Sequence, residues 1–423
     1  MVNNVWIYDF LISTNIDHNM KSLKTTHIFF LHVIMCQVLL SSLFAQDGLF
    51  APKKSVPILK APKPKSLQEA KELFIENYAD IARATSKSCL DQAIGLEKAI
   101  KAFLRKPSNE THRLAKISWI NARFPYLQGE VFRMKKLIVD TDGKINGWPV
   151  MPGIIDYTQN DSSSGLIQNA ERLPFITKDS LIKMNVSSGK DKTILGYHVI
   201  EFLLWGEDNG IVGSGGRSFE DYDKSENNSA ERRGQFLINC TEILINDLEN
   251  EVSEWKPENK NNRLGRLQAM PVDDAIALIL ETISQLSFSI SSSQIDSMIV
   301  DGSKFTEQST YSDTTHFDFL HSIAGISNLF AGAYVGLDGK IKVLGLGLMG
   351  LAEEISTINS EDLRSIINNA MRASQNFKGP FDVLSSKDKN NQLYVDAKNS
   401  VTELSDALKP LTSVVNELGK SLK

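Results

Sequence analysis

Helical patterning dominates the chain after residue 65, and this feature limits its possible folds most strongly. Ser66 and Glu69 form a capping box that opens a long amphipathic segment, which ends at Pro107. Further segments with the helical apolar period follow as far as the C-terminus, and no run of alternating strands stands out among them. The sequence therefore predicts an all-α fold, with two packed helical-bundle domains and long irregular connecting loops.

Proline and glycine positions divide this pattern into separate helices. A break or a kink is expected near Phe124, because Pro125 cannot donate a backbone hydrogen bond. The expected helices cover about residues 66–106, 110–139, 192–205, 229–255, 273–298, 313–334, 361–376 and 391–423. Two long loops, 140–164 and 206–228, lie between them, and a boundary inside the second loop gives domains 66–215 and 216–423.

Composition excludes several classes of protein. The 423 residues include 46 Lys and Arg against 51 Asp and Glu, a net charge of -5, so no bulk positive field attracts nucleic acid or anionic lipid. The chain has 3 cysteines and no C-x-x-C pair, which excludes zinc ribbons, thioredoxin chemistry and iron–sulfur clusters. We therefore expect no nucleic-acid partner.

Residues 1–45 have the pattern of a secretory signal peptide, with two lysines before the apolar stretch 28–45. A membrane anchor is the alternative, and Met20 is an alternative start. Residues 46–65 are rich in proline and lysine, which predicts an extended tether. The mature protein is therefore expected to be secreted across the inner membrane. It is expected in the periplasm, or associated with the cell surface or outer membrane, with peripheral or no membrane contact.

The mature chain keeps two cysteines, Cys89 and Cys240, which could pair in an oxidising compartment. Cys240 shares a helical face with Phe236, Ile243 and Leu244, so the alternative is a small core residue. The sequence leaves this pairing open.

The segment 194–206 carries the most informative chemistry. Apolar side chains occupy every face of this helix, so it is expected to be buried on most sides. His198 and Glu201 lie three positions apart and therefore on the same face. A buried carboxylate must be paired or must coordinate a metal, so the pair is either a hydrogen bond inside the core or part of a metal site. Further ligands would have to come from elsewhere in the chain.

Gly196-x-His198-x-x-Glu201 resembles the GxHxxE signature of imelysin-like proteins. That family is also classified as M75 peptidases and includes iron-regulated extracytoplasmic proteins. Four further segments resemble blocks of the family in the same order: 122–133, 145–157, 216–222 and 311–318. The resemblance covers about residues 66–420. The segment 150–154 departs from the family pattern, because it lacks an expected acidic residue.

The resemblance implies a two-domain helical fold with a pocket at the domain interface, lined by the GxHxxE helix. It implies that His198, Glu201 and Glu130 bind a metal ion. Imidazole together with carboxylate suits iron or zinc better than copper(I), and the family's iron-regulated members favour iron over zinc.

Three charged residues are further candidates for the pocket: Arg123, Arg217 and Asp221. Each has a plain structural alternative. Arg123 could form an ion pair with Glu130 beside the proline, and Arg217 and Asp221 could be solvated loop charges.

Three functions are compatible with these residues. The first is an extracytoplasmic metal-binding protein of iron uptake or handling, with a metal ion or small ligand bound and a cell-envelope uptake system as a partner. The second is an M75-type metallopeptidase, which needs three protein ligands, a metal-bound water and a base. The sequence identifies no independent base. The third is a non-catalytic surface interaction protein in which His198 and Glu201 are structural.

A G-x-G-x-x-G pattern at 345–350 has the spacing of a dinucleotide-binding loop. Such a loop needs a surrounding βαβ unit and an acidic residue about 20 positions later, and the sequence shows neither. Close packing or a bend explains these glycines better.

Overall fold

The computed structural model describes residues 63–133, 142–163, 165–187, 193–208, 210, 213–225, 229–295, 307–355, 360–377, 381–385 and 389–421. The predicted signal peptide and residues 46–62 of the predicted tether lie outside these ranges.

The chain is mostly helical, which confirms the predicted fold class. The helices in chain order are α1 (Leu67–Arg105), α2 (Asn109–Gln128), α3 (Asp142–Ile145), α4 (Pro152–Ile155), α5 (Lys178–Ser187), α6 (Tyr197–Trp205), α7 (Ala230–Ser253), α8 (Arg263–Gln268), α9 (Val272–Phe288), α10 (Thr315–Ala331), α11 (Leu348–Ile355), α12 (Ser360–Asn376) and α13 (Gln392–Ser421). A π-helical turn at Ser289–Ile295 follows α9, and short 3-10 turns occur at Glu130–Phe132, Phe219–Tyr222 and Asp382–Ser385.

The capping box predicted for α1 is confirmed. The Ser66 hydroxyl accepts a hydrogen bond from the Glu69 backbone N–H, and the Glu69 carboxylate accepts one from the Lys65 N–H. These bonds satisfy donors that a helix start leaves without intrahelical partners. The helix then runs to Arg105, close to the predicted end.

The break predicted near Phe124 is wrong, and the alternative of a kink there stays a prediction. Helix α2 continues through Pro125 as far as Gln128, and only then tightens into a 3-10 turn. A proline inside a helix removes one backbone hydrogen bond. Here Phe124 and Tyr126 on either side of it are buried, so packing holds the helical course.

Two clusters of buried apolar residues form the interior, and α1 contributes to both. Its stretch 70–82 packs with residues of α8 to α13, and we call this cluster the α13 core. Its stretch 89–103 packs with α2, α6 and α7, and we call this cluster the α6 core. Helix α7 therefore packs with elements that precede it in the chain. The domain boundary between 215 and 216 stays a prediction.

A short antiparallel hairpin joins α10 to α11, where the sequence pattern predicted helix as far as residue 334. Its strands are β1 (Ala333–Val335) and β2 (Ile341–Leu344), and Ala333 pairs with Leu344. The Asn77 amide donates hydrogen bonds to the carbonyls of Gly332 and Leu346 beside this hairpin, at 3.0 and 3.1 Å.

The glycines of the G-x-G-x-x-G pattern follow β2 and serve this close packing. A Cβ on Gly345 would lie 2.4 Å from the Asn77 side-chain oxygen, and one on Gly347 would lie 2.3 Å from the Gly332 nitrogen. The interpretation of these glycines as packing residues is therefore confirmed.

Cys89 and Cys240 are both buried and free. The Cys240 thiol faces the Ile194 carbonyl at 3.6 Å, inside the α6 core. The alternative that Cys240 is a small core residue is confirmed. None of the helices in the described ranges is long and apolar enough to cross a membrane.

Candidate functional site

The GxHxxE helix, α6, is held between two glycines with left-handed backbone angles. Gly196 precedes the helix with φ 94° and Gly206 follows it with φ 77°. A Cβ on Gly196 would lie 2.5 Å from the Ile145 carbonyl oxygen and 2.6 Å from that of Lys144. The first glycine of the motif is therefore required because α6 begins directly against the backbone of α3.

His198 and Glu201 form a hydrogen-bonded pair in the interior, each with 0% of its side chain exposed. The distance from His198 Nδ1 to Glu201 Oε2 is 2.9 Å. The other oxygen of Glu201 accepts two hydrogen bonds from Ser312, one from its backbone N–H at 2.9 Å and one from its hydroxyl at 2.7 Å. His198 Nε2 is buried and has no hydrogen-bond partner among the residues that the structure describes. The Trp148 and His198 rings pack in a T-shaped arrangement, with their centroids 5.1 Å apart.

Burial controls the charge of this pair. Desolvation lowers the pKa of His198 well below its ordinary value, and the nearby Arg123 cation lowers it further. Desolvation also raises the pKa of Glu201, while the two hydrogen bonds from Ser312 oppose that rise. The imidazole is therefore neutral at physiological pH, which is the form that binds metals.

Arg123 connects the α6 core to α10. Its guanidinium donates to the Asp318 carboxylate at 3.0 Å and to the Asn146 side-chain oxygen, and both charged side chains are buried. The second oxygen of Asp318 accepts a hydrogen bond from the Ser309 hydroxyl at 2.5 Å. The ion pair suggested between Arg123 and Glu130 is wrong, because Asp318 takes that place.

Glu130 lies in the 3-10 turn after α2. Its carboxylate accepts a hydrogen bond from the Ser322 hydroxyl at 2.6 Å and lies 3.8 Å from an Arg133 nitrogen. Burial raises the pKa of Glu130, and the Arg133 charge opposes this. Glu130 does not place a ligand atom within 4.8 Å of those of both His198 and Glu201. Its role as a metal ligand stays a prediction.

Arg217 and Asp221 belong to a separate buried network around Asp156. Arg217 Nη1 lies 2.8 Å from one Asp156 oxygen and 2.9 Å from one Asp221 oxygen. Arg233 donates to both Asp156 oxygens, at 2.7 and 3.0 Å. The Arg217 side chain is 1% exposed, so the alternative of a solvated loop charge is wrong for it. The Arg217 guanidinium packs over the ring of Phe202, one residue after Glu201.

Most of the chain matches a known protein family. Residues 82–408 match the model of the imelysin family, peptidase M75. The chain belongs to the imelysin family. Its fold is similar to a crystal structure from Parabacteroides distasonis described as a "putative iron-regulated protein A precursor". The two share 17% identity over 83% of this chain and 96% of that chain, with a TM-score of 0.59. No curated protein matches the chain.

Four residues of this candidate site were not predicted from the sequence as site members: Asp156, Ser312, Asp318 and Arg233. The first three lie inside segments that resemble family blocks, so block membership was a usable signal for them. The side chain of Asp318 pairs with Arg123, which lies 195 positions away in the sequence. Arg233 lies in α7 with no local signal, because its partner Asp156 is 77 positions away.

A second group of carboxylates lies near the end of α6, on segments distant in sequence. Asp208, Asp313 and Asp382 each place one oxygen within 4.8 Å of the others. Glu307 is buried beside them, and desolvation followed by the charges of these three residues raises its pKa to about 8. Acidic clusters are common without a bound ion, so the consequence we draw concerns stability.

Replacing Glu307 with glutamine is expected to change the pH dependence of stability. Between about pH 4.5 and pH 8 the folded chain keeps a proton on Glu307 that the unfolded chain has released. The free energy of unfolding therefore falls as the pH rises through this window. Glutamine resembles the protonated carboxyl, so Glu307→Gln is expected to raise that free energy at pH 8 by about 2–4 kcal/mol.

Urea unfolding of both proteins at pH 5 and pH 8 measures this effect. Glu417→Gln, at an exposed position of α13, is the matched control and is expected to leave the pH dependence unchanged. If the free energy of unfolding changes equally between pH 5 and pH 8 in the wild type and in Glu307→Gln, the assignment of the proton to Glu307 is contradicted.

Proposed function

We propose that this chain binds a metal ion at His198 Nε2, with iron preferred over zinc, as an extracytoplasmic protein of iron uptake or handling. One observation carries the proposal. Within the described part of the chain, Nε2 is buried without a hydrogen-bond partner, while Nδ1 of the same ring is held by Glu201. A buried polar atom without a partner costs free energy, and a metal bound to Nε2 would remove that cost. Metal-binding histidines commonly hold a carboxylate on their other ring nitrogen in this way.

The surrounding charges fit a cation. The buried cluster contains the carboxylates of Glu201, Asp318 and Glu130 against the guanidinium groups of Arg123 and Arg133. Burial raises the pKa of all three carboxyl groups and so opposes their ionisation, which a bound cation would favour. With all of these groups ionised, the negative charges exceed the positive ones by one. A cation is therefore favoured over an anion as the occupant.

The hydrogen bonds assign different roles to the two acidic candidates. Both oxygens of Glu201 are engaged, one by His198 and the other by Ser312. We therefore propose that Glu201 orients His198 rather than binding the metal directly. Glu130 remains the candidate for a further ligand. The bound metal would act as cargo, and these residues would hold it.

Iron and an extracytoplasmic location have further support. Imidazole and carboxylate suit iron or zinc. The similar protein from Parabacteroides distasonis is described as a putative iron-regulated protein and as a precursor. A precursor is consistent with the signal peptide predicted for residues 1–45 here. A cell-envelope uptake system is the partner we propose for the loaded protein.

A metallopeptidase, the activity that the M75 label suggests, would need more than this site offers. It requires three protein ligands, an open position for water and a base. Ser312 engages Glu201, the carboxylate bonded to His198, so Glu201 is not free to act as a metal ligand or as the base. This engagement favours binding over catalysis.

Metal content of residues 46–423 tests the proposal. After dialysis against iron(II) or zinc, elemental analysis is expected to find about one metal ion per chain. The variant His198→Gln, checked for folding by circular dichroism, is expected to lose it. His112→Gln is the matched control, because His112 is also a buried histidine, but its Nε2 already bonds to the Leu204 carbonyl at 2.7 Å.

A metal-free wild type, or metal retained by folded His198→Gln, would contradict the proposal. A metal-free wild type would favour the non-catalytic interaction protein. If the metal is bound, cleavage of a casein substrate that stops in His198→Gln and in the presence of chelator would establish the peptidase instead.

A further inference from the structure

Ser312 approaches the GxHxxE helix from a segment 111 positions away in the sequence. It donates two hydrogen bonds to one oxygen of Glu201, from its backbone N–H and from its hydroxyl. Ser312 is 7% exposed, so these bonds have little competition from water. Such a pair of donors on one carboxylate oxygen fixes both the position and the rotation of the carboxylate.

The second Glu201 oxygen is consequently directed at His198. Glu201 Oε2 lies 2.9 Å from Nδ1, and Oε1 is already occupied by Ser312. The two donors from Ser312 and the nearby Arg123 cation favour the ionised form of Glu201 against the effect of its burial. An ionised carboxylate only accepts hydrogen bonds, so in this form the proton between the two groups belongs to Nδ1. In a neutral imidazole that arrangement leaves Nε2 with a lone pair.

The loop that carries Ser312 is held in place by hydrogen bonds on both sides of this residue. The Ser312 hydroxyl lies 2.7 Å from that of Thr314, and Ser309 bonds to Asp318. On the other side, the Gly215 N–H donates to the Tyr311 carbonyl at 2.9 Å. Ser312 therefore meets Glu201 from a fixed position rather than from a mobile loop tip.

We propose that Ser312 is a positioning residue that sets the tautomer of His198. By holding Glu201, it keeps the proton of the imidazole on Nδ1 and leaves the Nε2 lone pair for a ligand. The consequence for metal affinity rests on the proposed function, whereas the tautomer itself does not. Loss of the hydroxyl leaves Glu201 Oε1 with only the backbone donor, which weakens the preference for this tautomer.

Nitrogen-15 NMR of protein labelled at histidine tests the tautomer directly, and His198→Gln assigns the signals. In the wild type without metal, His198 is expected to show a protonated Nδ1 and an unprotonated Nε2. Ser312→Ala is expected to show a mixture of tautomers, and Ser312→Thr, which keeps a hydroxyl, is expected to restore the wild-type pattern. Ser287→Ala removes another buried serine hydroxyl, bonded only within α9, and is expected to change nothing.

Titration with iron(II) and zinc is the second measurement. Ser312→Ala is expected to bind 10- to 100-fold more weakly, roughly the loss seen when a partner of a metal-binding histidine is removed. A wild-type His198 with its proton on Nε2 would overturn the proposal, even if Ser312→Ala does not fold. A folded Ser312→Ala with an unchanged histidine spectrum would also overturn it. A wild type with the expected tautomer but no bound metal would contradict the proposed function and leave the role of Ser312 supported.

Discussion

Replacing Asp156 with asparagine is expected to lower the free energy of unfolding by about 3–5 kcal/mol, the usual cost of breaking a buried ion pair from one side. Asp156 is 0% exposed and neutralises two buried guanidinium groups, those of Arg217 and Arg233. Burial alone would raise the pKa of Asp156, but these two cations hold it below its ordinary value. Asparagine keeps the shape of the side chain and removes its charge, so both cations lose their common partner.

Urea unfolding at pH 7 measures this loss. Asp406→Asn is the matched control, because Asp406 pairs with Lys409 at 2.8 Å while both side chains are more than half exposed. Exposed pairs contribute about 0–1 kcal/mol, so this variant is expected to stay close to the wild type. An Asp156→Asn protein within about 1 kcal/mol of the wild type, the scale of an exposed pair, would contradict the prediction that Asp156 is the essential partner of both cations.

Replacing Gly196 with alanine is expected to destabilise the chain by about 3 kcal/mol or more. The backbone at Gly196 has φ 94° and ψ -172°, a region that residues with a Cβ occupy at a cost of about 1–3 kcal/mol. The added Cβ would also lie 2.5 Å from the Ile145 carbonyl oxygen. Relief of this contact requires α6 to move away from α3, and His198 moves with it. A loss of metal binding is therefore expected together with the loss of stability.

Gly95→Ala provides the matched control for the same chemical change. Gly95 lies inside α1, and a Cβ there would meet no atom within 4 Å. Alanine in a helix interior is expected to raise the free energy of unfolding by about 0.5–1 kcal/mol. Urea unfolding is expected to show changes of opposite sign in the free energy of unfolding of the two variants. Metal content measures the loss of binding expected for Gly196→Ala. A Gly196→Ala protein as stable as the wild type would mean that the start of α6 can shift without cost.

Local features of the structure followed from the sequence because their causes are local. Ser66 and Glu69 lie three positions apart, so the capping box and the start of α1 could be predicted. The apolar residues on every face of α6 predicted its burial, and the spacing of His198 and Glu201 predicted their contact. The helical course through Pro125 could not be predicted from propensity, because the packing of its neighbours overrides the lost hydrogen bond.

The sequence by itself therefore determined the helical class, the family and the central pair of the candidate site. Only the tertiary structure decided which distant groups complete that site: Ser312 on Glu201, and Asp318 on Arg123, 111 and 195 positions apart. Periodicity shows which face of a helix is buried, but it does not show which other segment covers that face. Once a charged or polar group is buried, it must find a partner to offset its desolvation, and folding supplies that partner regardless of distance along the chain.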